Sequence, residues 1–198
     1  MEPVRIYALT GTPGTGKSTV ARQLRGRGRT PVEVVEVSDL RPHARRRPPA
    51  RVRRQGPVLV DLAKAAGMLQ ARALRARGPL VVVGHLSHLL PIERVVLLRC
   101  RPDVLRKRLE RRGVRGRALL ENVESEAVDV ILQEAVGLGR RIWELDTTHL
   151  GPAEVAARVR SIIDGRRKPA FGRVDWLKDA LDLPARAPRR KRGGRARG

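Results

Sequence analysis

Five short apolar runs alternate along the chain with stretches in which apolar residues recur at helical spacing. The runs are rich in Val and Leu and predict strands over residues 4–9, 32–37, 80–83, 95–98 and 141–145. Strand and helix patterns that alternate in this way are typical of βαβ units. Runs that are apolar at almost every position suit strands covered by helices on both faces. The pattern therefore predicts an α/β protein with a five-stranded, mostly parallel sheet.

Two insertions interrupt the alternation. The first, residues 39–77, begins with an Arg/Pro-rich stretch and ends in an amphipathic helix that starts near Asp61. The second lies near residues 111–117 and joins a helix over about 102–111 to one over about 118–136. We also predict a helix from residue 151 to about 164 and a short helical element at 174–178.

The first predicted turn carries a phosphate-binding motif. Residues 11–19 have the sequence Gly-Thr-Pro-Gly-Thr-Gly-Lys-Ser-Thr, directly after a predicted strand and before a predicted helix. That context is what the G-x-x-x-x-G-K-[ST] pattern requires. The glycines let successive N–H groups point at phosphate oxygens, Lys17 can reach the β- and γ-phosphates, and Ser18 can ligate Mg²⁺. The motif predicts that the chain binds a nucleoside triphosphate.

Composition limits the class of protein further. The 198 residues suit one domain, and its core must be aliphatic because the chain has one Phe, one Tyr and two Trp. The single cysteine, Cys100, excludes an internal disulfide or a multi-cysteine zinc site and is expected to be a buried thiol at a strand end. No apolar stretch is long enough to span a bilayer, and no signal peptide is evident. We expect a cytoplasmic protein.

Positive charge is concentrated in two segments of a chain whose formal net charge is +23. Residues 41–54 contain seven arginines and no acid, and residues 184–198 contain seven basic residues and no acid. We expect the second segment, a tail without apolar periodicity, to be disordered when unbound. Both segments favour nucleic-acid contacts, because each neutralised phosphate releases a counterion. A solvated tail in an arginine-rich proteome is the alternative.

Three segments together resemble one family. The phosphate motif, the sequence Gly-His-Leu-Ser-His-Leu-Leu-Pro at residues 84–91 and the arginine-rich residues 99–113 are similar to the adenylate kinase family that also serves as a small-ribosomal-subunit assembly ATPase. Residues 120–126 look like that family's segment after the lid. The resemblance covers about residues 4–163.

The resemblance implies a P-loop nucleoside monophosphate kinase fold. It places a kinase domain at residues 1–166, with a monophosphate-binding insertion at 39–77 and a short lid at 111–121, followed by an extension at 167–198. It further implies phosphoryl transfer from ATP to AMP, Mg²⁺ dependence, a weaker ATPase activity, and a small-subunit ribosomal protein as partner, with rRNA as a candidate for the tail. The layout permits a monomer.

By position, the resemblance assigns the ATP phosphates to Gly14, Gly16, Lys17, Ser18 and Thr19. Mobile guanidinium groups suit phosphoryl transfer, because charge on the transferred oxygens must be stabilised.

The same resemblance extends to the lid arginines and to a histidine. Arg112 matches an ATP-contacting arginine, and Arg108, one turn earlier, faces the same way. His85 matches the motif histidine that orients water or a nucleophile, and it follows the third strand, where ligands of open α/β sheets bind. We expect His88 to be structural. Arg99 is either a site residue or an edge charge.

The chain departs from the family pattern at two places. Val83 ends the third strand where the family has an aspartate that helps to hold Mg²⁺. Asp39, after the second strand, is the better substitute, because Asp61 is expected to cap its own helix. The arginines of residues 41–54 replace acids and an aromatic, and they could clamp a monophosphate or bind RNA.

Two main hypotheses follow, from different classes. The first is an adenylate kinase that forms two ADP from ATP and AMP. The second is a nucleotide-switched ribonucleoprotein assembly factor that is mainly an ATPase. A polynucleotide 5′-kinase is a third possibility, which the basic residues near 45–47 would suit.

Overall fold

The predicted parallel five-stranded sheet is confirmed. The computed structural model describes residues 4–25, 31–40 and 61–177. All strand pairs are parallel, and the strand order is β2-β3-β1-β4-β5. The strands are β1 (Ile6–Thr10), β2 (Glu33–Glu36), β3 (Leu80–Val83), β4 (Arg94–Arg99) and β5 (Arg141–Asp146). Since the strands are parallel, the loops after them meet at one edge of the sheet, which is where ligands bind in such folds.

The described residues form six α-helices, of which the last follows the final strand. They are α1 (Lys17–Leu24), α2 (Leu62–Ala73), α3 (Pro102–Arg111), α4 (Gly116–Ala127), α5 (Val130–Gly137) and α6 (Pro152–Ile163). The prediction for α3 is confirmed at both ends. Asp61 caps α2 as predicted, because its carboxylate accepts a hydrogen bond of 3.1 Å from the Lys64 backbone N–H. No helix in the described part of the chain is long and apolar enough to cross a bilayer.

The single helix predicted over residues 118–136 is wrong. The structure divides it into α4 and α5, with Asp129 between them at φ 57°. Aspartate tolerates this left-handed conformation better than most residues. The Asp129 carboxylate accepts a hydrogen bond from Arg99, so a tertiary ion pair holds the break that helical propensity alone does not reveal.

Helices cover both faces of the sheet. On one face, α1 and α6 pack against Tyr7 and Leu9 of β1, and on the other, α2 and α5 pack in the cluster that contains Ala8. A third apolar cluster joins α3 to α4 around Cys100, which is fully buried as predicted. This arrangement confirms the expected three-layer α/β class.

The residues after α6 return along the outer edge of the sheet. The Ala170 N–H donates to Ile142 O, and the Glu144 N–H donates to Ala170 O, both at 2.9 Å. The helical element predicted at residues 174–178 begins later than expected, because residues 174–176 are not helical. The Asp175 carboxylate instead accepts the Leu177 N–H at 2.9 Å, as at the start of a helix. The arginine-rich stretch at 41–54 and the tail at 184–198 lie outside the described residues.

Candidate nucleotide-binding site

The loop between β1 and α1 has the backbone of a phosphate cradle. Gly11, Gly14 and Gly16 have φ angles of 137°, 98° and 105°, which residues with a Cβ rarely adopt. A Cβ at Gly14 would lie 2.7 Å from Leu105 Cδ1 on α3, so the loop packs closely against that helix. A Cβ at Gly16 would meet no atom within 4 Å, so the space above this residue is open. The geometry fits a bound phosphate chain at the N-terminus of α1.

Lys17 is folded back onto its own loop. Its Nζ donates to Gly11 O at 2.6 Å and to Thr12 O at 3.0 Å. Burial, helped by the nearby Arg112 guanidinium, lowers the pKa of Lys17 to about 8, although Glu126 and Glu36 oppose the shift. A phosphate chain on the loop would supply the counter-charge that the buried ammonium lacks. Ser18 is exposed in the first turn of α1, where its hydroxyl could ligate Mg²⁺ beside bound phosphates.

Arginines from α3 line a cavity in front of the loop. The cavity has a volume of about 310 Å³ and is lined by Gly14, Thr15, Gly16, Thr19, Val20, Arg108, Arg111, Arg112, Thr147, Leu150, Pro152 and Val155. The structure thus brings together the glycines, Thr19, Arg108 and Arg112 that the sequence singled out. Arg111 lies beside them and was missed, although its position next to Arg112 was a signal. The predicted lid region begins as a short turn after α3 and continues into α4.

The two predicted arginines have different surroundings. Arg108 donates through Nη2 to Thr147 O at 2.8 Å and to Thr148 O at 3.2 Å, and it thereby holds the loop after β5. Thr147 in turn donates to Thr15 O of the phosphate loop at 3.1 Å. Arg112 ends α3, is exposed, and is close enough to Lys17 to lower that residue's pKa. Arg108 is therefore placed to position the site, and Arg112 to meet an anion.

The two histidines after β3 have different surroundings. His85 is exposed after β3, and its backbone carbonyl accepts a hydrogen bond from the Thr10 hydroxyl at 3.1 Å. Partial burial and the positive charge of Lys17 lower the pKa of His85, so its imidazole is neutral at neutral pH. His88 is fully buried, with Nδ1 3.0 Å from Thr10 Oγ1 and Nε2 2.8 Å from Glu134 Oε2. These contacts make His88 structural.

Glu36, at the end of β2, is an acid near the loop lysine that sequence reasoning missed. Val83 pairs in register with Glu36 at the end of β2. Burial raises the pKa of Glu36, partly offset by Arg25, and Glu36 also interacts electrostatically with Lys17. The Asp39 carboxylate accepts the Glu36 N–H at 3.2 Å, so it closes a turn. Glu36 therefore acts on Lys17 electrostatically, although less strongly than the buried Glu126 does. The position of Glu36 at a strand end was the available signal. Among the described residues, no cluster of three or more His, Cys, Asp or Glu side chains could hold a metal ion.

A buried charge network lies directly beneath the loop. Arg99 is 1% exposed and donates at 2.8 Å through Nε to Glu126 and through Nη1 to Glu144. Glu126 also accepts the Thr12 hydroxyl and, at 2.9 Å, the Cys100 N–H. Burial raises the pKa of Glu126, although Arg99 opposes the rise. Arg99 is therefore not an edge charge: it holds the residue that supports the phosphate loop.

Fold, loop and arginine-lined cavity together define a P-loop nucleotide-binding protein. Residues 8–129 match the family model described as "AAA domain". The chain is 39% identical over 181 residues to an Archaeoglobus fulgidus protein named "Putative adenylate kinase", covering 89% of this chain and 94% of that protein. A Methanothermobacter thermautotrophicus protein of the same name is 41% identical over 177 residues, covering 87% and 99%. The chain belongs to the family of these archaeal proteins.

Solved structures with low sequence identity share the fold of this chain. TT1252 from Thermus thermophilus has a TM-score of 0.57 at 19% identity, covering 83% of this chain and 98% of that one. Shikimate kinase from Acinetobacter baumannii, in complex with shikimate, has a TM-score of 0.53 at 16% identity, covering 84% and 96%.

Proposed function

We propose that the protein is a Mg²⁺-dependent adenylate kinase that transfers the γ-phosphoryl group of ATP to AMP. The observation that carries this proposal is the cavity in which the phosphate loop and the α3 arginines face one another. The names of the archaeal relatives support the choice of AMP as acceptor. An oxygen of the monophosphate attacks the γ-phosphorus, the bond to the β–γ bridging oxygen breaks, and two ADP result.

The chain's own residues supply positioning and charge for this transfer. Backbone N–H groups of the loop and the Lys17 ammonium hold the β- and γ-phosphates, and Arg112 stabilises the charge that develops on the transferred oxygens. Leu150, Pro152 and Val155 give the cavity an apolar wall that suits a nucleobase. Ser18 would help to hold Mg²⁺, which would supply positive charge to the phosphates of ATP. A monophosphate oxygen is already ionised at neutral pH, so the acceptor requires no general base.

Product analysis on Mg·ATP tests the proposal. With AMP present we expect two ADP for each ATP consumed and little free phosphate. Lys17→Ala should abolish the transfer, whereas Lys168→Ala, which removes an exposed lysine far along the chain, should keep the wild-type rate. ADP formation that is independent of AMP would refute the kinase. Addition of an oligonucleotide with a free 5′-hydroxyl tests the polynucleotide 5′-kinase in the same assay.

A second candidate is ATP hydrolysis linked to ribonucleoprotein assembly. The exposed, neutral imidazole of His85 near Lys17 favours it, because such a group can orient a water and accept its proton. A ribosomal protein of the small subunit and rRNA are the partners that the resemblance suggests. Release of free phosphate from ATP in the absence of AMP would support hydrolysis if the His85→Ala variant no longer shows it. For the assembly role, deletion of residues 184–198 should weaken rRNA binding. An unchanged affinity for rRNA would show that the tail does not contribute to this binding.

A further inference from the structure

A strongly basic surface lies on the outer edge of β5, away from the phosphate loop. Residues 165–174, hereafter the β5-edge segment, include Arg166, Arg167, Lys168 and Arg173 and contain no acid. A cavity of about 520 Å³ separates this segment from α6 and shares no lining residue with the cavity at the phosphate loop. The size is sufficient for a nucleotide-sized ligand.

Backbone and side-chain bonds hold the β5-edge segment in place. Ala170 exchanges backbone hydrogen bonds with Ile142 and Glu144 on β5. The Trp143 indole N–H donates to Arg167 O at 2.9 Å, and the Arg173 N–H donates to Glu144 Oε2 at 3.1 Å. The segment therefore presents its side chains from a fixed backbone, which lowers the entropy that a ligand must overcome.

The charges of this surface are only partly compensated. Arg158 and Arg166 form ion pairs of 2.8 Å and 2.6 Å with Glu154 and Asp164. The side chains of Arg167, Lys168 and Arg173 form no ion pair or hydrogen bond within the described part of the chain.

The acids of the cavity wall are already engaged. Glu144 accepts Arg99 Nη1 at 2.8 Å, and Asp146 accepts the Thr148 N–H at 2.8 Å. Glu144 is therefore paired with Arg99, whereas Asp146 remains a negative charge in the cavity wall beside the more numerous cations.

An aromatic ring lies among these cations. Phe171 is 49% exposed, although the chain contains no other phenylalanine and buries its tyrosine. Arginine and lysine side chains around an exposed ring are the combination that binds unpaired nucleotides, since the cations meet phosphates and the ring stacks on a base. We propose that the β5-edge segment is a docking surface for single-stranded nucleic acid.

Fluorescence anisotropy of a labelled 20-nucleotide oligouridylate tests this surface on the full-length chain. We compare wild type with Arg167→Ala/Arg173→Ala, and with the matched control Arg75→Ala/Arg77→Ala, which removes two exposed arginines after α2. Titrations are repeated with Mg·ADP to exclude binding at the phosphate loop. Thermal melts verify that each variant is folded.

We expect the Arg167/Arg173 variant to weaken binding and to reduce the slope of log K against log salt by about 1.4, at roughly 0.7 for each lost phosphate contact. Phe171→Ala should weaken binding roughly 5- to 100-fold through lost stacking. Equal losses in the Arg75/Arg77 control, or unchanged binding in both surface variants, would overturn the proposal.

Two further arms separate single strands from other polyanions. Phe171→Leu keeps an apolar side chain but removes the ring, so it should bind oligouridylate about as weakly as Phe171→Ala. The protein could instead bind anionic phospholipid vesicles and not oligouridylate, with Phe171→Leu keeping the wild-type affinity for the vesicles. In that case the surface is a membrane contact and the proposal fails. Equal or tighter binding of a duplex would also refute it, because paired bases cannot stack on the ring.

Discussion

Replacement of Arg99 by Met should destabilise the protein more than any exposed charge replacement. Arg99 is the shared counter-charge of Glu126, Glu144 and Asp129, and the first two side chains are 2% exposed. Removal of one partner leaves buried carboxylates without compensation, which costs about 3–5 kcal/mol. That is a large part of the roughly 5–15 kcal/mol that holds a domain folded. The comparable change Arg158→Met breaks an exposed pair with Glu154 and should cost about 0.3–0.5 kcal/mol.

The loss of stability caused by Arg99→Met should increase with pH. Arg99 holds down the pKa of Glu126, which burial raises, so the variant's Glu126 pKa rises further. A carboxyl whose folded-state pKa is raised favours folding below its unfolded pKa, and that contribution is lost as pH rises through the folded value. The difference in unfolding free energy between wild type and Arg99→Met should therefore be larger at pH 8 than at pH 5.

Urea unfolding at both pH values measures these differences, with Arg158→Met as the control for loss of one charge. A loss below about 1 kcal/mol at pH 8, or a loss that grows as pH falls, would refute the reasoning that the buried carboxylates depend on Arg99. Because Glu126 also accepts the Thr12 hydroxyl, the folded variant should bind ADP more weakly, whereas the control should not.

Three other predictions follow from single residues. Since the pKa of Lys17 is about 8 and phosphate prefers the ammonium, ADP affinity should fall about tenfold from pH 7 to pH 9, and Lys17→Met should remove this dependence in calorimetry. Gly14→Ala should weaken nucleotide binding, because its Cβ would lie 2.7 Å from Leu105 Cδ1. Gly67→Ala, inside α2 with no neighbour within 4 Å of the added Cβ, should instead stabilise the protein by about 0.5–1 kcal/mol and so raise its melting temperature. Burial raises the pKa of Cys100 to about 11, so the thiol should resist alkylation at pH 8 until urea unfolds the chain.

The elements with strong local signals could be predicted from sequence. Gly-Pro precedes strand β3, an apolar run marks β5, and a proline occupies the first position of helix α3. The bounds of these three elements were predicted closely. The phosphate loop was predictable because its glycines, lysine and serine must have fixed spacing to meet one ligand. Arg112 was assigned by the family resemblance, and helical spacing then placed Arg108 on the same face, whereas Arg111 was missed.

The remaining parts of the site depend on contacts between residues far apart in the chain. No periodicity relates Glu126 to Thr12, because 114 positions separate them. The same holds for Arg99 and Glu144, which are 45 positions apart and lie on neighbouring strands. Pairings of this kind depend on strand order, which a single sequence does not specify. The break at Asp129 belongs to the same group, because its carboxylate is bound by Arg99.

These long-range contacts also explain how the two sides of the site are held in register. From below, Glu126 binds Thr12 of the phosphate loop, and Arg99 fixes Glu126. From the side, Arg108 of α3 binds Thr147 O, and the Thr147 hydroxyl reaches the loop at Thr15 O. The arginine-bearing helix α3 and the phosphate loop are thus joined through side chains of β4, α4 and the turn after β5. Loss of either link should therefore misplace Arg112 relative to Lys17 without removing any group that touches phosphate. Because phosphoryl transfer depends on precise positioning, such a displacement should lower the rate of transfer more than it weakens nucleotide binding.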